Sequence, residues 1–290
     1  MNESYSKLAT FEQCPYKYKL IYLDNHYIKN DTIATDFGTL VHHIEEEIGK
    51  SLKENKKPDY PFLIDEFKEK MVEIENKYPN DFYLLDKSNR TYADKRDYYI
   101  NIGIYRLEKR VKENNLKVVA LEKEFYLQFG NYNFHGFIDR ILKNDDQYII
   151  EDIKTYPKKI EPNELKVPLQ HVIYTLALNS IGIKNVVCNY DLPLCDLIQP
   201  VDKNYLYKGI NKICDLFDEI KLSDFHPNPT PLCYWCLFSK TYNNQPKEAK
   251  GLCPYYSLWT KQNKNFNVNH KWLGLKNHQK ILEEFQNNEQ

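Results

Sequence analysis

Apolar residues recur every three or four positions through the first third of the chain, and every two positions through its middle. Phe37, Leu40, Val41, Ile44 and Ile48 line one side of a helix over roughly 36–49. Leu8, Phe11 and Tyr18 keep helical spacing too, but Pro15 lacks the N–H a helix interior needs, so two short helices meet at Cys14. Segments near 62–76 and 91–115 read as helices. From Lys117 to Lys154 β-branched and aromatic residues alternate with polar ones. The turn signals Gly130-Asn131 and Asn144-Asp145-Asp146 divide that stretch into an antiparallel three-stranded meander. Pro168 opens, and Gly182 follows, a helix carrying Val172, Ile173, Leu176 and Leu178. A strand over Lys184 to Tyr190, a short one near Leu197, and a helix with Leu206, Ile210, Ile213, Phe217 and Ile220 on one face come next. The chain is Pro- and Cys-rich and irregular after Phe225, and frayed from Gln286. The order predicts an α/β fold with a mixed sheet flanked by helices.

The turns fix a register. In a hairpin centred between Asp145 and Asp146, Asp139 lies opposite Asp152; in one centred between Gly130 and Asn131, Asp139 also lies opposite Glu122. Lys154, two residues beyond Asp152, shares that face, while Glu151 and Ile153 point away. Three carboxylates this close repel unless a cation joins them, and an oxygen-rich set suits Mg²⁺ or Mn²⁺, with Lys154 to orient or deprotonate a water. A solvated sheet face with cross-strand Glu and Lys pairs would carry the same residues. His42 on the first long helix reads more readily as a hydrogen-bonded structural residue than as a ligand. Gln170 and Tyr174, four apart, share one helix face.

Seven cysteines, an odd number, argue for buried or metal-bound thiols over a disulfide framework. Cys233 and Cys236 form a C-x₂-C knuckle, Cys253 follows, and Cys14 is the distant candidate for a fourth ligand. Zinc and an iron–sulfur cluster both fit this spacing. Cys188 and Cys214 read as core residues and Cys195 as a loop thiol.

Lys and Arg number 40 against 41 Asp and Glu, so no global charge attracts phosphate, and a nucleic-acid site has to be a local patch. Arg140, Lys158 and Lys159 are its basic candidates, with aromatic rings for stacking single-stranded bases. No apolar run approaches the ~20 residues of a membrane helix, and the first residues lack a signal-peptide pattern. The expected location is the cytoplasm, or a host cell's cytoplasm for a viral protein.

Taken together, Ser4-Tyr5-Ser6-Lys7-Leu8 through Cys14-Pro15, Gly38-Thr39-Leu40-Val41-His42, Gly136-Phe137-Ile138-Asp139-Arg140, Glu151-Asp152-Ile153-Lys154-Thr155, Gln170 to Tyr174, Pro231 to Cys236 and Cys253-Pro254 resemble the PD-(D/E)XK nuclease superfamily. The order resembles its RecB-like branch, which includes the Cas4 exonucleases and the nuclease domain of AddB. The resemblance implies a restriction-endonuclease-like core with His42, Asp139, Asp152 and the Ile153 carbonyl at a catalytic Mg²⁺ or Mn²⁺. Lys154 and Glu122 stand beside them, and Gln170 and Tyr174 support the site. It implies a [4Fe–4S] cluster on Cys14, Cys233, Cys236 and Cys253, with zinc as the alternative. One departure is the long gap from Cys236 to Cys253, where Lys240 to Lys250 reads as an insertion. The expected organisation is a nuclease domain over 1–260, its ends joined by the cluster, with a helical insertion around 50–115 and a tail over 261–290. The implied activity is hydrolysis of DNA from ends or in single strands, alone or with a helicase or other recombination, replication or CRISPR protein. The alternative is a non-catalytic DNA-binding scaffold with a structural metal.

Overall fold

A computed structural model describes residues 2–28, 31–86, 88–160, 168–202, 204–228, 230, 232–233, 236–239, 249 and 251–253. The tail from 261 and the stretch 240–248 of the expected insertion lie outside the described residues. The chain divides into two compact units, Met1–Tyr5 with Asp31–Lys212, and Ser6–Asn30 with Ile213–Gln290.

The first unit is built on a six-stranded mixed sheet. Its strands are β1 (Asn2–Glu3), β2 (Lys117–Phe129), β3 (Tyr132–Asn144), β4 (Gln147–Ile153), β5 (Val186–Leu192) and β6 (Leu197–Pro200). β2 and β3 pair antiparallel along their length, from Lys117↔Lys143 to Phe129↔Tyr132. The other edge of β3 is shared: β4 takes Arg140 to Asn144, and β1 pairs parallel at Asn133 and Phe134. Between those two partners the edge is open, and there the functional side chains gather. Gly130 at φ 56° and Asp145 at φ 46° supply the left-handed residues that the two turns require.

Helices cover the sheet. The long helix predicted from 36 to 49 runs over Ile33–Lys53, started by a reciprocal Thr32–Thr35 capping box. It is α3, after α1 (Tyr5–Gln13) and α2 (Pro15–Tyr18), which meet at Cys14 as the proline predicts. Phe37, Val41, Ile44 and Ile48 of α3 pack with Phe67 and Met71 of α4 (Tyr60–Lys77) in one core. The predicted 91–115 helix is broken. After a short α5 (Pro79–Phe82), α6 (Tyr92–Asn101) gives way to a 3₁₀ turn at Gly103–Tyr105 before α7 (Arg106–Glu113). A Cβ on Gly103 would lie 2.8 Å from the Pro193 carbonyl oxygen and 2.6 Å from the Tyr99 ring, so only glycine fits. α8 (Leu169–Ser180) lays Tyr174 and Leu178 on Ile138, Ile150 and Cys188 of the sheet. α9 (Tyr205–Leu222) follows β6. Its Cys214 is exposed, against the expectation of a core position, whereas Ile213, Leu216 and Phe217 are buried.

Candidate metal centre

β4 leaves β3 beyond the Arg140↔Glu151 pair. The Ile153 N–H, lacking a backbone partner on β3, donates instead to Asp139 Oδ2 at 2.8 Å. Strand divergence thus seats Asp139 in the notch. His42 reaches the same place from α3: its Nε2–H donates to the Ile153 carbonyl at 2.9 Å, which leaves Nδ1 facing Asp139 Oδ2 at 3.7 Å. Glu122 is the third member. Its φ of 41° is left-handed, rare for a residue with a side chain, and sits between the Leu121↔Arg140 and Lys123↔Ile138 pairs, re-aiming the carboxylate. Ligand atoms of His42, Glu122 and Asp139 lie within 4.8 Å of one another, the only such group of three among the described residues.

The electrostatics are those of a site needing a cation. Burial pushes the Asp139 carboxyl up, and Asp152 adds to the shift. Glu122 is raised by burial and then by Asp139. Asp152 is buried and does not join the three; Lys154 holds it, with Nζ 2.9 Å from Oδ1 and 2.7 Å from Oδ2. Burial alone would lower the Lys154 pKa, yet Asp152 raises it above the ordinary value, so this lysine is an ammonium ion. Gln170 Nε2 donates to the Tyr174 hydroxyl at 2.7 Å. Lys158 and Lys159 are exposed just after β4. A nitrogen-and-carboxylate set of this kind could hold a divalent metal ion.

Arg140 corrects the sequence reading. Expected at the DNA surface, it is fully buried. Its guanidinium binds Glu45 of α3 at 3.1 Å, Glu151 of β4 at 2.8 Å, and Asp191 of β5. Arg106 and Arg110 of α7 complete the lattice, Arg106 at 2.7 Å from Asp191 and Arg110 on Glu151. An arginine on a strand whose neighbours are apolar can be buried only if carboxylates meet it. The signal was Glu151, an acid pointing to the face opposite Asp152, but Glu45 and Asp191 were beyond sequence reasoning. Three members of the lattice neighbour site residues: Arg140 follows Asp139, Glu151 precedes Asp152, and Glu45 lies about one helical turn after His42.

In the second unit Cys14, Cys233, Cys236 and Cys253 all line one cavity of about 190 Å³. Cys14 caps α2 just before Pro15. The Asn228 backbone N–H donates to Cys14 Sγ at 3.4 Å and the Thr230 N–H to Cys233 Sγ at 3.3 Å. Burial pushes the Cys233 and Cys236 thiols up. No three of these sulfurs lie within 4.8 Å of one another.

Among solved structures, a candidate exonuclease from Eubacterium rectale is 11% identical over 81% of this chain and 85% of its own, with a TM-score of 0.48. The protein SSO0001 is 19% identical over 74% of this chain and 89% of its own, with a TM-score of 0.28. No curated protein matches the sequence. The sequence model of the PD-(D/E)XK nuclease superfamily matches residues 2–241. Its match spans both the metal-binding notch and the strands that build it, and the chain belongs to that superfamily.

Proposed function

We propose that the protein is a Mg²⁺- or Mn²⁺-dependent deoxyribonuclease that removes nucleotides from DNA ends or single strands. The observation that carries this reading is the meeting of His42, Glu122 and Asp139 within 4.8 Å, beside a buried Asp152 paired to Lys154. His42, Glu122 and Asp139 would hold the metal, with Asp152 joining as Lys154 turns to the substrate. The chemistry a bound divalent ion supplies there is charge neutralisation at phosphate and a more acidic water. Lys154 orients that water and offsets negative charge on the phosphate. Gln170 and Tyr174 brace the neighbouring helix face, and Lys158 and Lys159 offer phosphate contacts.

The RecB-like, Cas4-like branch is part of the proposal, and with it a structural [4Fe–4S] cluster on Cys14, Cys233, Cys236 and Cys253. The four thiols around one cavity could hold such a cluster, with zinc as the alternative. A helicase or another recombination, replication or CRISPR protein is the proposed partner class.

DNA labelled at either end, single- and double-stranded, with RNA alongside, tests the activity in Mg²⁺ and Mn²⁺. Short products from one labelled end, abolished by chelator and by Asp139→Asn, are expected. Chelator-resistant cleavage, or cleavage by Asp139→Asn at the parent rate, overturns the assignment.

A further inference from the structure

The hairpin that supplies Glu122 and Asp139 continues past them toward its turn, and its outer part carries rings that the metal centre does not use. β2 and β3 stay in register there, from Lys123↔Ile138 to Phe129↔Tyr132, so side chains alternate between two faces. One face is filled. Phe125 packs edge-to-face on Tyr174 with centroids 5.6 Å apart, in the room left by Gly136, where a Cβ would lie 3.1 Å from its ring. The other face presents Glu124 and Tyr126 of β2 opposite Phe137 and His135 of β3. The Tyr126 ring lies nearly parallel on His135, centroids 4.6 Å apart and planes 14° apart, and Phe137 meets His135 at 5.5 Å. Tyr126 is 69% exposed and Phe137 48%. The Glu124 carboxylate accepts from the Tyr126 hydroxyl at 2.9 Å and binds His135 Nε2 at 2.9 Å, so one acid fixes both rings.

Asp139 lies two positions beyond Phe137 on β3, where the left-handed Glu122 interrupts the alternation of β2. At ~3.4 Å per residue, Phe137 stands about 7 Å and the Tyr126–His135 pair about 14 Å along the strand from Asp139. We propose that Tyr126, His135 and Phe137 form a stacking platform for the unpaired bases of a nucleic-acid strand whose phosphate lies at His42, Glu122 and Asp139. The proposal rests on the nuclease reading and deepens it by naming the form of substrate.

Base accessibility selects the occupant. The outer part of this face, Glu124 and Tyr126 opposite Phe137 and His135, offers no lysine or arginine to a phosphate. A duplex hides its base faces and gives these rings nothing to stack on. An unpaired base presents a π-face that stacks on an aromatic ring whatever its sequence. The carboxylate between the rings serves as a clamp, so the surface is ordered before the strand arrives.

The test is fluorescence anisotropy on the full chain in EDTA, so that nothing is cut. Three probes of equal length are used: a single-stranded thymidine oligonucleotide, the same backbone with abasic residues, and a duplex. The parent should prefer the base-bearing single strand. Tyr126→Ala and Phe137→Ala should each weaken that binding roughly 5- to 150-fold and leave abasic binding unchanged, while Tyr126→Trp restores the preference. Because both side chains are exposed, circular dichroism should report parent-like folding. Unchanged affinity in both alanine variants overturns the platform, as does an equal loss on the abasic probe. Parent dimers that dissociate in Tyr126→Ala without altered oligonucleotide binding overturn it too, assigning the face to a second copy. Cleavage by the parent is scored separately: an inactive chain that still binds in a base-dependent way refutes the nuclease reading alone, and an active chain with base-indifferent binding refutes the platform alone.

Discussion

Replacing Arg140 with methionine removes a cation from the middle of the buried lattice without opening a large cavity. Its three carboxylate partners are not affected alike. Asp191 keeps Arg106 at 2.7 Å, and Glu151 keeps Arg110. Among the described residues, Glu45 is left with the Tyr99 hydroxyl, 3.1 Å away, as its direct partner. One buried carboxylate without a cation costs about 3–5 kcal/mol, a large part of the ~5–15 kcal/mol by which domains are stable. For a unit of this size each kcal/mol is worth ~2–4 °C, so the melting temperature should fall by about 6–20 °C. Thermal and urea unfolding followed by circular dichroism measures it. Adding Glu45→Met should recover much of the loss, since the stranded charge is then gone. A second reading comes from the salt dependence of DNA binding. Buried Arg140 contributes nothing to it, whereas a phosphate contact would lower the slope by about one when removed. An Arg140→Met protein as stable as the parent but with a shallower salt slope would refute the buried lattice.

Acid should expose the same lattice. Burial would raise the Asp191 carboxyl, but Arg140, Arg106 and Arg110 hold it down at about 2. The unfolded chain then takes up this proton first as pH falls, so the stability Asp191 contributes is complete above about pH 4 and is lost as pH drops to about 2; urea midpoints across that window should fall less steeply in Asp191→Asn. Gly103→Ala forces a methyl against the Pro193 carbonyl oxygen and the Tyr99 ring, and should cost about 1–3 kcal/mol in urea unfolding; a neutral result would mean the 3₁₀ turn yields freely. Protein purified without oxygen should be brown with four irons per chain, and Cys14→Ser should lower both iron content and melting temperature. A colourless chain with one zinc refutes the cluster, and an unchanged Cys14→Ser refutes the ligand.

Local periodicity and turn chemistry were enough to place α3, the meander and α8, because each is set by residues close in sequence. The register followed from two turns, and the observed Arg140↔Glu151 and Lys123↔Ile138 pairs obey the sums that put Asp139 across from Asp152 and Glu122. Two things escaped. The pairing of Asp152 with Lys154, beside the group of His42, Glu122 and Asp139, could not be read from the register. Arg140 was misread because its burial depends on two acids from distant segments besides Glu151, and Glu45 looks on its helix like one more polar residue in the run Glu45-Glu46-Glu47. The reason position 103 has to be glycine was likewise invisible, since one of the groups that crowd it is a carbonyl ninety residues away.

The second unit joins residues near the start of the chain to residues after Ile213, with Asn228 bonded to both Gln13 and Cys14. During synthesis Ser6–Asn30 must therefore wait while some ~180 intervening residues are made, roughly 10–40 s at usual ribosomal speeds of ~5–20 residues per second. The sheet-bearing unit has that interval to fold ahead of it, while Cys14 stands as an uncommitted thiol. Delivery of the residues after Ile213 from the ribosome then sets the earliest moment at which this part of the protein can close.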